Sequence, residues 1–186
     1  MPTVALAEKQ EAFAIWITGL PASGKSTLTE ALRKELAGRG VDVAVLESDE
    51  LRKVFSPHPS YDDEERNTFY SQMIYVGTLL AQHGVPVIFD ATANRRVWRD
   101  QARRSIPAFV EVFVDTPLEL CMARDPKGIY RAAQTGGNAF VPGLQTEYEP
   151  PVNPEITIQS GSESPDVAAG RIVQTLIQEG FLKSDC

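Results

Sequence analysis

Gly19-Leu20-Pro21-Ala22-Ser23-Gly24-Lys25-Ser26 fits the phosphate-loop pattern G-x-x-x-x-G-K-[ST]. The stretch before it, Phe13-Ala14-Ile15-Trp16-Ile17, is apolar and β-branched enough to be a buried strand. The stretch after it carries Leu28, Leu32 and Leu36 at helical spacing. Strand, loop and helix therefore stand in the order in which such a loop works. Its glycines let the backbone wrap around negative charge, so that successive N–H groups and a helix N-terminus face phosphate. Gly19, Ala22, Ser23, Gly24 and Thr27 belong to this cradle. Lys25 reaches the outer phosphates, and the Ser26 hydroxyl is a ligand for Mg²⁺. A nucleoside triphosphate is the implied ligand. A Gly-rich turn that carries Lys and Ser by coincidence is the alternative, and the correct flanking elements argue against it.

Outward from the loop, apolar runs at residues 13–18, 41–46, 85–89, 110–114 and 155–158 alternate with helical patterns. The helical patterns fall at residues 25–37, 62–82, 95–104, 117–123, 127–134 and 165–179. Such alternation predicts an α/β fold, a phosphate-loop three-layer sandwich with a mainly parallel five-stranded sheet covered on both faces. Thr116-Pro117-Leu118-Glu119 has a capping hydroxyl, a first-turn proline and a returning carboxylate, and Ser164-Pro165 repeats the first two. Residues 135–154 are rich in Gly, Pro and Asn without a period, which predicts a functional lid or an unstructured stretch.

The 186 residues suit one domain spanning 1–186. A formal net charge of -7 excludes a duplex-binding surface, so no nucleic-acid partner is expected. Two cysteines, Cys121 and Cys186, form no paired spacing and fit a reducing compartment. No stretch approaches the ~20 apolar residues of a membrane span and no basic, apolar leader opens the chain, so the cytoplasm is the expected location, away from membranes.

A phosphate loop alone does not separate kinases from GTPases or motors. The Asn-Lys-x-Asp tetrad with which GTPases read their base is missing from the sequence. After the second strand comes Leu46-Glu47-Ser48-Asp49-Glu50-Leu51-Arg52, which sets a carboxylate at a strand's carboxyl end, where open α/β sheets bind ligands. Asp49 is the candidate base, accepting the proton of an attacking hydroxyl while Lys25 and Mg²⁺ hold the developing charge. Arg52, three residues on, offers a planar fork to an anionic acceptor. The competing reading is an acidic helix start with an exposed ion pair.

Residues 109–121, Phe109-Val110-Glu111-Val112-Phe113-Val114-Asp115-Thr116-Pro117-Leu118-Glu119-Leu120-Cys121, continue into Arg124-Asp125-Pro126-Lys127-Gly128-Ile129-Tyr130. Together they resemble the signature of the adenylylsulfate kinase family, and Tyr148-Glu149-Pro150-Pro151 resembles the end of that family's lid. The resemblance runs from residue 16 to residue 151 and is more specific than the phosphate loop. It implies transfer of the γ-phosphoryl of ATP to the ribose 3′-hydroxyl of adenosine 5′-phosphosulfate, a lid over residues 124–151, and a homodimer. By the same resemblance Asp49 is the base, Arg52 and Arg66 bind the phosphosulfate nucleotide, and Tyr61 and Phe140 stack on it. Arg124 and Lys127 lie over the nucleotide phosphates. Independently of any family, a lid carrying Arg124, Lys127 and Arg131 would add positive charge on closing and keep water away.

The chain also departs from that pattern. Glu47-Ser48-Asp49-Glu50 keeps only the central carboxylate of the family's Asp-Gly-Asp-Asn, and Phe69 stands where the family has Asn. Phe89-Asp90-Ala91-Thr92-Ala93-Asn94-Arg95-Arg96 replaces the strand-end segment that carries the family's serine. Its Asp90 resembles the strand-end acid of other small-molecule phosphate-loop kinases, holding Mg²⁺ through water or competing with Asp49 as base. A related kinase for another hydroxyl, such as that of cytidine diphosphoramidate, and a catalytically silent nucleotide-binding module are the alternatives. Finally, Arg96, Arg99 and Arg103 fall on neighbouring turns of one helix, predicting either an anion-attracting face or a solvated one.

Overall fold

The centre of the sheet is β1 (Ala14–Thr18), every residue of which is buried. Its side chains alternate as a strand requires: Ile15 and Ile17 enter one apolar cluster, Ala14 and Trp16 another on the opposite face. The computed structural model describes residues 12–136 and 140–184, so Cys186 and residues 137–139 of the expected lid lie outside the described residues.

From β1 the chain passes through the phosphate loop into α1 (Lys25–Gly38), then β2 (Ala44–Glu47), α2 (Ser48–Phe55) and α3 (Asp63–Gln82). It continues through β3 (Val87–Asp90), α4 (Arg96–Ser105) and β4 (Phe109–Asp115). The short helices α5 (Leu118–Arg124) and α6 (Ile129–Gln134) precede β5 (Ile156–Gln159) and α7 (Pro165–Gln178). The sheet order is β2-β3-β1-β4-β5, and every pair is parallel. The predicted five-stranded parallel sheet is thus present, with strand ends shifted by a few residues. Parallel strands need crossovers, and the helices supply them on both faces.

Leu28, Leu32 and Leu36 of α1 join Ile172, Val173 and Leu176 of α7 in the cluster over one face. On the other face Phe69, Met73 and Ile74 of α3 join Trp98 and Ala102 of α4. There the Trp16 and Phe89 rings stack with centroids 4.7 Å apart, and the Trp16 indole donates to the Ala91 carbonyl at 3.0 Å. Gly77 admits the Phe89 ring, since a Cβ at that position would stand 2.1 Å from Phe89 Cζ.

Of three local features, two differ from expectation. Residues 48–55 form a helix that no apolar period announced, because only Leu51 and Phe55 pack on the core, and they do so from its edge. Ser164 caps α7 as expected, accepting from the Val167 amide, with Pro165 in the first turn. Thr116 does not cap α5. Its hydroxyl donates to the Ser23 carbonyl at 3.0 Å and thereby ties β4's end to the phosphate loop, while Pro117 takes the capping position without a side-chain bond.

Candidate active site

The phosphate loop depends on backbone conformations that side chains rarely adopt. Gly19 (φ +154°) has no room for a Cβ, which would meet the Val114 carbonyl oxygen at 2.6 Å, and Gly24 takes φ +108° as it opens α1. Lys25 Nζ donates to the carbonyls of Leu20 at 2.9 Å and Gly19 at 3.2 Å. Burial lowers the pKa of its ammonium group, while Asp90 and Asp49 pull it back upward. The Ser23 hydroxyl is buried and has no hydrogen-bond partner, whereas the Ser23 carbonyl accepts from Thr116 and, at 3.5 Å, from Arg124. That hydroxyl lies against Gly19, where an added Cβ would meet Ser23 Oγ at 2.8 Å.

Beside the loop lies a cavity of about 570 Å³. Ala22, Gly24, Lys25, Ser26 and Thr27 line it from the loop, Asp49 from the first turn of α2, Asp90 from the end of β3, and Arg124 and Lys127 from the chain after β4. Register explains the convergence of the acids: Glu47 and Asp90 are direct neighbours on β2 and β3, and Ile17 pairs with Asp90. All three strands end at one level, so their carboxyl ends open onto the same space. Asp90 is buried, and the Glu47 carboxyl is pushed up by its own burial and then by Asp90. Asp49 is half exposed and ion-paired with Lys127, which raises the pKa of the Lys127 ammonium.

The stretch bearing Arg124 and Lys127 is anchored to the loop it faces. Cys121, Tyr130, Ala133 and Val141 form a small apolar cluster against Leu20 and Ala22. The Tyr130 hydroxyl donates to the Pro21 carbonyl at 3.0 Å, and Asp125 accepts from the amides of Tyr130 and Arg131 at the start of α6. Arg131 is exposed and does not line the cavity.

Arg52, Tyr61, Arg66 and Phe140 gather in a second group, and none lines the phosphate cavity. The Arg52 guanidinium lies 3.9 Å over the Phe69 ring and 5.1 Å from the Tyr61 centroid, and it pairs with Glu65. The buried Arg66 donates from Nε to the Tyr61 carbonyl at 2.8 Å, from Nη2 to the Phe140 carbonyl at 2.7 Å, and from Nη1 to Asn94 Oδ1.

The arginines of α4 form neither of the expected faces. Arg99 is 1% exposed and donates to Glu111 at 2.8 Å, to the Glu149 carbonyl at 2.6 Å and to the Ala93 carbonyl. Arg103 pairs with Glu155 and Glu111, and Arg96 with Glu149. Burial and internal pairing replace solvent because Glu111 sits in mid-strand between two buried valines and requires a partner. That acid amid Phe109-Val110-Glu111-Val112 was the signal in the sequence for a buried base. Asn94, Tyr148 and Glu149 are further contributors, which stand inside the motifs quoted above but have no individual role assigned by sequence. The Thr18 hydroxyl donates to the Thr92 carbonyl at 2.6 Å, so the Tyr148 hydroxyl, 3.0 Å away, is the donor to Thr18. Among the described residues, no helix is long and apolar enough to cross a membrane.

Comparison with known proteins agrees with this geometry. The family model for adenylylsulphate kinase matches residues 11–159. The adenylyl-sulfate kinase of Gloeothece citriformis is 37% identical over 175 residues, covering 94% of this chain and 99% of that one. The probable adenylyl-sulfate kinase of Archaeoglobus fulgidus is 38% identical over 148 residues, 80% of this chain and 96% of that one. Among solved structures, the Mycobacterium tuberculosis APS kinase in complex with AMPPNP and APS superposes with a TM-score of 0.84 at 31% identity, over 89% of this chain and 98% of its own. With the family model matched over residues 11–159 and relatives of this identity matched over nearly their whole length, this chain belongs to the adenylylsulphate kinase family.

Proposed function

We propose that this chain transfers the γ-phosphoryl group of ATP to the ribose 3′-hydroxyl of adenosine 5′-phosphosulfate, giving 3′-phosphoadenosine 5′-phosphosulfate and ADP. It acts as a single kinase domain, with residues 124–151 as the lid. The observation that carries this reading is the one cavity that Lys25, Ser26, Asp49, Asp90, Arg124 and Lys127 share. Loop amides bind the phosphates, and the Lys25 ammonium and Arg124 guanidinium balance charge on the transferred group. The acceptor's 3′-oxygen bonds to the γ-phosphorus as the bond to the β,γ-bridging oxygen breaks. Asp49 takes the hydroxyl proton, and ADP leaves.

Mg²⁺ fits the donor set. The Ser26 hydroxyl and the Asp90 carboxylate, through water, are hard oxygen donors of the kind this ion takes. Among the described residues no three acidic, His or Cys side chains gather to hold a metal by themselves, which suits an ion shared with substrate phosphates. When bound, it would neutralise charge on the phosphate oxygens. Lys127 pairs with Asp49 at the rim of the cavity and so holds that carboxylate in place. Tyr61 and Phe140 take the acceptor's base, with Arg52 and Arg66 beside them. Phe69 under Arg52 and Asp90 at the end of β3 are the features favouring a different nucleotide acceptor, such as cytidine diphosphoramidate. The protein works in the cytoplasm as a homodimer.

A coupled assay of ADP release tests the reading against a panel of nucleotides and small alcohols. Preference for adenosine 5′-phosphosulfate supports it. Turnover with another acceptor, and none with the sulfated nucleotide, refutes it.

A further inference from the structure

We propose that Asn94 is a positioning residue for the acceptor pocket: its carboxamide fixes the Arg66 guanidinium, and Arg66 in turn sets the spacing between Tyr61 and Phe140. The inference rests on the reading above, in which Tyr61, Arg66 and Phe140 serve the acceptor.

Hydrogen-bond chemistry fixes which way the amide points. A guanidinium only donates, so Asn94 Oδ1 faces Arg66; a carbonyl only accepts, so Asn94 Nδ2 donates to Glu147, at 2.9 Å. The Asn94 carbonyl accepts from the Glu149 amide at 2.8 Å. Asn94 is 1% exposed and therefore has no water to replace these partners. Three contacts thus join the end of β3 to α3 and to the end of the lid.

Arg66 has five N–H donors, of which three are engaged by Tyr61, Asn94 and Phe140, leaving two for a ligand. Two of its bonds go to the backbone carbonyls of the residues whose rings would flank a base. Tyr61 needs the support, since it holds φ +59° without being glycine. One guanidinium therefore braces both walls of the pocket, and Asn94 keeps it from rotating. The backbone beside Asn94 is held too: the preceding Ala93, at φ +39°, donates its amide to the Tyr70 hydroxyl and accepts from Arg99 at its carbonyl.

The experiment compares Asn94→Ala, Asn94→Asp, Arg66→Ala and the Arg66→Ala/Asn94→Ala double variant in steady-state kinetics with adenosine 5′-phosphosulfate and ATP. Amide hydrogen exchange is followed over residues 140–149 without nucleotide. Asn94→Ala should raise the acceptor KM about tenfold and leave the ATP KM within about twofold, because only acceptor binding is removed. Asn94→Asp keeps an oxygen for Arg66 and should recover most of that loss, and the double variant should be no worse than Arg66→Ala alone. Exchange over residues 140–149 should quicken in Asn94→Ala. Equal rises in both KM values, an aspartate no better than alanine, or additive effects in the double variant would overturn the proposal. If Arg66→Ala leaves the acceptor KM unchanged, the acceptor role of Arg66 falls, and this proposal with it. If the sulfated nucleotide is not turned over at all, the reading of the reaction fails on its own; the exchange measurement then decides, and unchanged protection over 140–149 overturns the brace.

Discussion

Replacing Arg99 by Met is the sharpest test of how the site is held. The guanidinium is 1% exposed and its partner Glu111 nearly as buried, with only Arg103 at 3.5 Å left to the carboxylate once Arg99 is gone. Removing one member of a buried pair leaves an uncompensated charge, which costs about 3–5 kcal/mol. The carbonyls of Ala93 and Glu149 lose their donor as well, so the upper end of that range is expected. For a chain of this length the loss corresponds to a fall in Tm on the order of 10 °C. The double variant Arg99→Met/Glu111→Leu removes both charges together and should lie within ~2 kcal/mol of the parent protein, far above the sum of the singles. Urea denaturation with linear extrapolation reads all four proteins. A single variant costing less than ~1 kcal/mol, or a double variant as damaging as the two singles added, would refute the buried-pair argument.

Other outcomes follow from the same geometry. Asp49→Ala should leave ATP affinity near that of the parent while transfer falls by ~10²- to 10⁴-fold; normal turnover there, with loss in Asp90→Ala, would move the base to Asp90. Lys127→Ala breaks an ion pair whose side chains are 56% and 54% exposed, so stability should change by less than ~1 kcal/mol while kcat drops by ~10². Comparable losses in both would show a structural lysine. Burial raises the Tyr148 phenol to about 12. The folded state therefore keeps the proton longer than the unfolded one, so Tyr148's contribution is whole below its ordinary value near 10 and fades between pH 10 and 12. Tyr148→Phe should flatten that part of the stability-against-pH curve, and an unchanged slope would contradict the assignment.

The fold was legible because its signals are local. A buried strand, a Gly-rich turn and a leucine-spaced helix each announce themselves within a dozen residues, and alternation of such units dictates a parallel sheet. The phosphate side of the site came with them, since Lys25, Ser26 and Asp49 take their places from strand ends. What escaped depends on distant partners. Thr116 carries every mark of a cap, yet a carbonyl 93 residues away takes its hydroxyl. Helical spacing placed Arg96, Arg99 and Arg103 on one face, but only the position of Glu111 on β4 decides that Arg99 is buried. The Lys127–Asp49 pair joins residues 78 apart, and the brace through Asn94 spans α3, β3's end and the lid; no periodicity encodes either. Helix α2 is short and has a thin apolar edge, so only its acidic start at Asp49 and Glu50 marks it in the sequence.

The destination of the phosphoryl group separates a kinase for this acceptor from a hydrolase. ³¹P NMR of a reaction mixture containing the protein, ATP, Mg²⁺ and adenosine 5′-phosphosulfate should show ADP and a 3′-phosphorylated nucleotide appearing in equal amounts. ADP accompanied by inorganic phosphate, with the sulfated nucleotide untouched, would contradict it.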